Sequence, residues 1–213
     1  MKEKKSLSAL LGRTRSTINT ITINPEIRTE LKKYGYTDER LDWGTTKLTA
    51  IESFFEKQKK EQGEAYAASK QYLEQRAHVE EFYRKDIKLL RIPARSNPEL
   101  DKLLPKQVQT DNANQLVKDS MEVYQNLINN PNLAAALLLV GRKPTDYADK
   151  LAEVKQLGLL VAQYEKEFAE AVTATSNRDK EFDELQAYCR DLRTIAGLAL
   201  EGKPALKRLV DEL

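Results

Sequence analysis

Apolar residues recur at alternating three- and four-residue steps along two long stretches of the chain. In the second stretch the phase runs Val154, Leu157, Val161, Tyr164, Phe168, Ala171, Thr175, Arg178, Phe182, Leu185, Cys189 and Leu192. In the first it runs Leu48, Ile51, Phe55, Gln58, Gln62, Ala65, Ser69, Tyr72, Arg76, Val79 and Tyr83. No Pro interrupts Thr37 to Leu90 or Thr145 to Leu200. Such a phase keeps one stripe of a helix facing a partner, and a hairpin would reset it, so each stretch predicts one long helix. A rival reading is a break at Thr175-Ser176-Asn177-Arg178-Asp179, whose side chains can cap a second helix. Ser69 to Leu73, at the matching place in the first stretch, carries no such signal.

Shorter elements flank each long one. Apolar stripes predict a helix near Leu7–Ile21 and another near Asn112–Asn129. Asn24-Pro25 and Asn130-Pro131 then supply a capping side chain and a Pro at the first helical position. Gly35 and Gly141 supply left-handed stops to these short helices. Pro93 and Gly202 close the long helices, and Asn97-Pro98 and Lys203-Pro204 open a last short helix with a Leu-x-x-Leu pair.

These markers repeat at an offset of 106 residues. Asn24-Pro25, Gly35, Pro98, Leu100 and Leu103 return as Asn130-Pro131, Gly141, Pro204, Leu206 and Leu209. Leu10, Leu31, Lys60, Glu61, Ala65, Ala68 and Arg84 also meet identical residues 106 positions on. Because turn chemistry and apolar phase persist without a gap, the pattern predicts an internal duplication, residues 1–106 and 107–213, packed as one elongated domain. The expected fold is all-α. Two long antiparallel, coiled-coil-like helices pair, with short helices forming bundles at the ends. Antiparallel pairing places the small residues Ala65, Ala68 and Ser69 across from Ala171, Ala174 and Thr175, with Phe55 nearer Phe182 than Val161.

The run of markers resembles a set of uncharacterised bacterial all-α proteins with two tandem helical units. The resemblance rests on the Asn-Pro-Asn-Leu short helix, Gly141 and the long helix after it, Arg178-Asp179 through Leu200, and Pro204 with its Leu-x-x-Leu. It covers most of the chain and implies the fold only, since that set brings no activity or functional residue with it.

Composition agrees with helices: 40% of residues are hydrophobic and 32% charged, with only eight Gly and seven Pro. A net charge of +2 argues against a strong polyanion binder. The charge is uneven, with 22 Lys and Arg against 16 Asp and Glu in residues 1–106, and 13 against 17 thereafter. The two halves therefore suit mutual attraction, and the first half alone suits weak nucleic-acid contact. Leu133 to Val140 is the longest apolar run, far short of the roughly 18 residues that span a bilayer. With one cysteine and no signal-peptide pattern at the N-terminus, a reduced cytoplasmic setting is expected.

Candidate chemistry is sparse. His78 is the single histidine and Gln75 precedes it by three, which excludes a paired Glu-x-x-His di-metal centre. Cys189 falls in the apolar phase and reads as a small core residue. Glu80-Glu81 and Glu165 with Glu167 lie among lysines and read as solvating charge. Trp43, Phe54, Phe55, Tyr66, Tyr72, Phe82 and Tyr83 have helical spacing and read as seam packing. No catalytic, cofactor-binding or metal-binding residue is assigned, and no cofactor is expected. One segment stands out: Leu133–Val140 is apolar all round, while its counterpart Ile27–Tyr34 is amphipathic. A helix apolar on every side is either buried throughout or meets a partner. Leu133, Leu137, Leu138 and Val140 are therefore the candidate interface, for a protein partner or for self-association. The expected function is a non-catalytic helical interaction or scaffold protein. A bundle enzyme or small-ligand binder with a carboxylate, Arg and Tyr site, and a weak nucleic-acid-associated protein, stand as alternatives.

Overall fold

The computed structural model describes residues 7–212, and among them the chain is all-α. The helices are α1 (Leu7–Ile23), α2 (Pro25–Lys32), α3 (Asp38–Ala94), α4 (Pro98–Leu103), α5 (Ala113–Asn129), α6 (Ala134–Leu138), α7 (Ala148–Ala199) and α8 (Pro204–Asp211). Short 3-10 turns at Pro131–Leu133 and Pro144–Tyr147 precede α6 and α7. α3 has 57 residues and α7 has 52, each one helix, and α7 runs unbroken through Thr175–Asp179. Ser, Asn and Thr cost little inside a helix when both neighbouring turns are already anchored by packing, so a possible cap does not become a break. Pro93 sits in the last turn of α3 rather than beyond it.

Asn side chains start the short helices as their spacing predicts. Asn24 Oδ1 accepts from the backbone N–H groups of Glu26 and Ile27 at 3.0 and 3.2 Å. Asn97 does the same for Glu99 and Leu100 at 3.1 and 3.0 Å, and Asn130 for Asn132 at 3.1 Å. Gly35 and Gly141 take φ of 81° and 66°. The residue after each glycine closes the turn, Tyr36 N–H donating to Leu31 O and Arg142 N–H to Leu137 O.

The chain forms two compact units that cut across the boundary at residue 106. The first unit comprises the described parts of Met1–Lys60 and Val172–Leu213; the second is Glu61–Ala171. Each takes one half of α3 and one half of α7, because a single long helix presents its apolar stripe to different short helices along its length. In the first unit the core joins Ile18 and Ile21 of α1, Ile27 and Leu31 of α2, Ile51 of α3 and Leu192 of α7, all fully buried. Each such side chain contributes about 1.5–3 kcal/mol on burial. In the second unit Val79 and Leu90 of α3, Leu116 and Leu127 of α5, Leu137 of α6 and Leu157 of α7 do the same.

Within each unit α3 and α7 run antiparallel. Lys47 pairs with Glu184 at 2.7 Å and with Glu181, Phe55 meets Phe182 edge-on at 5.9 Å, and Gln58 accepts from Arg178 at 3.0 Å. In the second unit Tyr72 stacks on Tyr164 at 5.1 Å, and His78 Nε2 lies 2.8 Å from Glu153. Gln75 donates to the Glu153 carbonyl at 3.4 Å. Adding or subtracting 106 turns one set into the other with the two helices exchanged. Lys47 with Glu184 becomes Glu153 with His78, Lys47 with Glu181 becomes Glu153 with Gln75, and Gln58 with Arg178 becomes Tyr164 with Tyr72.

Candidate functional site

The second unit departs most from its counterpart around Asp86. This carboxylate is 3% exposed on the buried side of α3. Lys150 of α7 donates to both its oxygens at 2.7 and 2.6 Å, and the Tyr124 hydroxyl of α5 donates to Oδ2 at 2.8 Å. The Lys150 ammonium also lies 5.8 Å from the Phe82 ring and 5.6 Å from the Tyr147 ring. Burial and the neighbouring Asp86 charge push the Tyr124 hydroxyl far above the usual tyrosine range. A carboxylate bonded in this way ties α3, α5 and α7 together. In the first unit the matching positions are Leu192, Gly44 and Ile18. There Tyr188, the counterpart of Phe82, lies against Gly44, where an added Cβ would meet its ring at 2.5 Å.

A second departure is the irregular connector between α4 and α5. Pro105 prevents a continuous helix, and the connector's carbonyls need donors from elsewhere. Arginines of α3 supply them. Arg91 donates to Pro105 O and Lys106 O at 3.2 and 2.7 Å, Arg76 to the Thr110 and Asp111 carbonyls, and Arg84 to Thr110 Oγ1 at 2.7 Å. Along this strapped connector an open cleft of about 620 Å³ is lined by Arg84, Lys88, Arg91, Lys106 and Asp111. Positions 106 residues after Arg76 and Arg91 hold Phe182 and Gly197, so these straps belong to the second unit alone. Sequence reasoning placed Arg76 in the seam. No periodicity marks an arginine whose partners are carbonyls of an irregular segment.

The predicted interface divides sharply. Leu133 and Leu137 are 1% and 0% exposed and belong to the core of their own unit, so they present no surface to a partner. Val140 is half-buried. Leu138 is 62% exposed, and Leu139, which was not in the predicted set, is 72% exposed. α6 spans only Ala134–Leu138, and the following turn rotates Leu138 and Leu139 outward together. Burial on every side is thus excluded for this segment: one edge is core and the other is a two-leucine projection.

His78 has an exposed side chain paired with Glu153, and Cys189 is 4% exposed in the first core, where burial lifts its thiol to about 11. The two belong to different compact units. Glu61, Glu167 and Glu170 bring carboxylate oxygens within 4.8 Å of one another, with the Lys166 ammonium 3.6 and 3.7 Å from the latter two. Phe55, Tyr72, Phe82 and Tyr83 pack against other aromatic rings, as their spacing predicts. Tyr66 departs from that reading at 76% exposed, and Trp43, although its ring meets Tyr188, is 42% exposed. No helix among the described residues is long and apolar enough to cross a membrane. Comparison with family models, with curated proteins and with solved structures returns no match in any of the three.

Proposed function

We propose that this chain is a non-catalytic helical interaction protein that associates with a second copy of itself through the Leu138–Leu139 edge. The observation that carries the reading is the exposure of two adjacent leucines, 62% and 72%, at the end of a helix whose Ala136 and Leu137 are buried. Single exposed leucines are ordinary, whereas an adjoining pair at the end of a short helix offers a knob that a copy of the same surface can cover. Burying most of two such side chains contributes about 2–4 kcal/mol per chain before the cost of association.

In the same reading the chain is a duplicated helical unit working in the cytoplasm. The exchanged contacts at an offset of 106 support duplication, and a lone cysteine held in the core supports a reducing setting. The test is multi-angle light scattering of the chain and of Leu138→Glu/Leu139→Glu, with circular dichroism on both. The expected result is a dimer that becomes a fully helical monomer. A wild-type monomer throughout the accessible concentration range, or a variant that remains dimeric, overturns the reading.

A further inference from the structure

In the first unit α1 and α7 face each other across a small hollow of about 190 Å³ lined by Arg13, Arg190 and Arg193, with Leu10, Thr14 and Cys189 beneath. Three arginine side chains from two packed helices line one hollow together with Gln186, and no carboxylate of the described residues lines it. Neither Arg13 nor Arg190 has an ion-pair partner among the described residues. Arg193 is half-buried, and its Nε and Nη2 donate to Thr17 Oγ1 at 3.0 and 2.6 Å. Thr17 is itself fully buried and hydrogen-bonded back to Arg13 O. The fork is therefore held in one orientation by a neutral hydroxyl, which fixes its direction and leaves its charge uncompensated. Half-buried charges normally acquire a counter-charge, and like charges facing each other across packed helices destabilise the pair.

The counterpart unit is built differently at the matching positions. Position 119, which matches Arg13, is Asp, whose carboxylate accepts from the Gln115 side chain at 2.6 Å, and Arg84 there pairs with Glu80 at 2.8 Å. Arg190 matches Arg84, so the second unit sets an acid and an arginine at the places where the first sets two arginines. The first unit thus carries a cation where its counterpart carries an acid.

We infer that the hollow formed by Arg13, Arg190 and Arg193 is a binding site for the phosphate group of a small soluble phosphate ester. The guanidinium forks of Arg13 and Arg190 can match the oxygen spacing of a tetrahedral dianion, with Arg193, whose Nε and Nη2 are held by Thr17, adding positive charge beside them. The hollow is small and lies between two helices, which suits a single phosphate and its ester link. A polyanion tracks an extended basic groove instead. Bound phosphate supplies the missing counter-charge and relieves the repulsion among the three arginines.

The test uses the full chain and two exposed positions whose side chains have no ion-pair partner among the described residues, Arg13 and Arg190. Inorganic phosphate and pyrophosphate are titrated by calorimetry and thermal unfolding at fixed ionic strength, with sodium chloride as the control salt. The wild type is expected to bind one equivalent saturably with a rise in Tm. Arg13→Glu and Arg190→Glu are each expected to weaken binding by at least about tenfold, and Arg190→Lys by less. In phosphate-free buffer Arg13→Glu is expected to unfold at a higher temperature than the wild type, because it restores the acid found in the other unit. This gain distinguishes a lost site from a damaged fold. Absence of saturable binding, binding that the charge reversals leave unchanged, or a response that chloride reproduces overturns the inference. Binding to an oligonucleotide or to phosphatidic-acid vesicles without binding to pyrophosphate also overturns it. The outcome is independent of self-association, which light scattering reports separately.

Discussion

Replacing Lys150 with Met is the perturbation most revealing of how the second unit is held together. The change keeps most of the side-chain volume and removes the charge that faces Asp86. Asp86 has a side chain 5% exposed, and it would keep only the Tyr124 hydroxyl as donor. Removing one member of a buried ion pair costs about 3–5 kcal/mol because the remaining charge is stranded. The Lys150 side chain is 27% exposed, so water reaches the site once the ammonium is gone. The expected loss is therefore lower, about 2–3 kcal/mol. Asp86→Leu installs the residue found at the equivalent place, Leu192, and leaves a lysine able to turn its ammonium toward solvent. Its cost should be about 1–2 kcal/mol, chiefly for the buried Tyr124 hydroxyl that loses its acceptor. The double variant Asp86→Leu/Lys150→Met should cost less than the two single changes together by about 1–3 kcal/mol. Urea denaturation followed by circular dichroism at 222 nm (roughly the helix minimum, where the signal scales with the helical content argued above) gives all three values. A Lys150→Met loss below about 1 kcal/mol, or costs that simply add, would show that the pair contributes no coupled stability.

Three further outcomes follow from the same packing. Gly44→Ala should lower stability by about 1–3 kcal/mol by thermal unfolding, since its Cβ would force Tyr188 away and break the hydroxyl's 3.0 Å bond to Arg40 O. Lys47 has its pKa raised by hydrogen bonds to Glu181 and then Glu184, and Glu184 has its pKa lowered by Lys47. The lysine contribution is present below its unfolded pKa and is lost as pH rises through the folded one. The glutamate contribution is present above its unfolded pKa and is lost as pH falls through the folded one. The stability gap between wild type and Lys47→Met should therefore be widest between about pH 5 and pH 10 and close at both ends, and a flat gap would refute the pairing. Cys189 should react with a bulky thiol reagent far more slowly than the unfolded chain, and Cys189→Ala should cost about 1 kcal/mol.

Much of the architecture was legible because it is written in residues with one local meaning. Asn24, Asn97 and Asn130 before Pro, and Gly35 and Gly141 at left-handed stops, each act within a few residues of themselves. The continuity of α7 was legible from its phase, since Thr175 and Arg178 keep the stripe even though their neighbours resemble a cap. The compact units were not, because nothing local to residues 60 or 172 marks the change of packing partners along a continuous helix. The candidate sites were hidden for a related reason. Leu133 and Leu138 are indistinguishable in an all-apolar run, and only the packing of α6 decides which faces inward. Arg13 and Arg193 look like ordinary solvated charge until α1 and α7 are seen to share a hollow.

Hydrogen exchange measured at low and high protein concentration tests the central claim of association most directly, because it locates the covered surface. The amides of residues 134–143 should exchange more slowly at the higher concentration, while those of α1 and α8 should be unaffected. Exchange at 134–143 that is identical at both concentrations would contradict the Leu138–Leu139 edge as the interface.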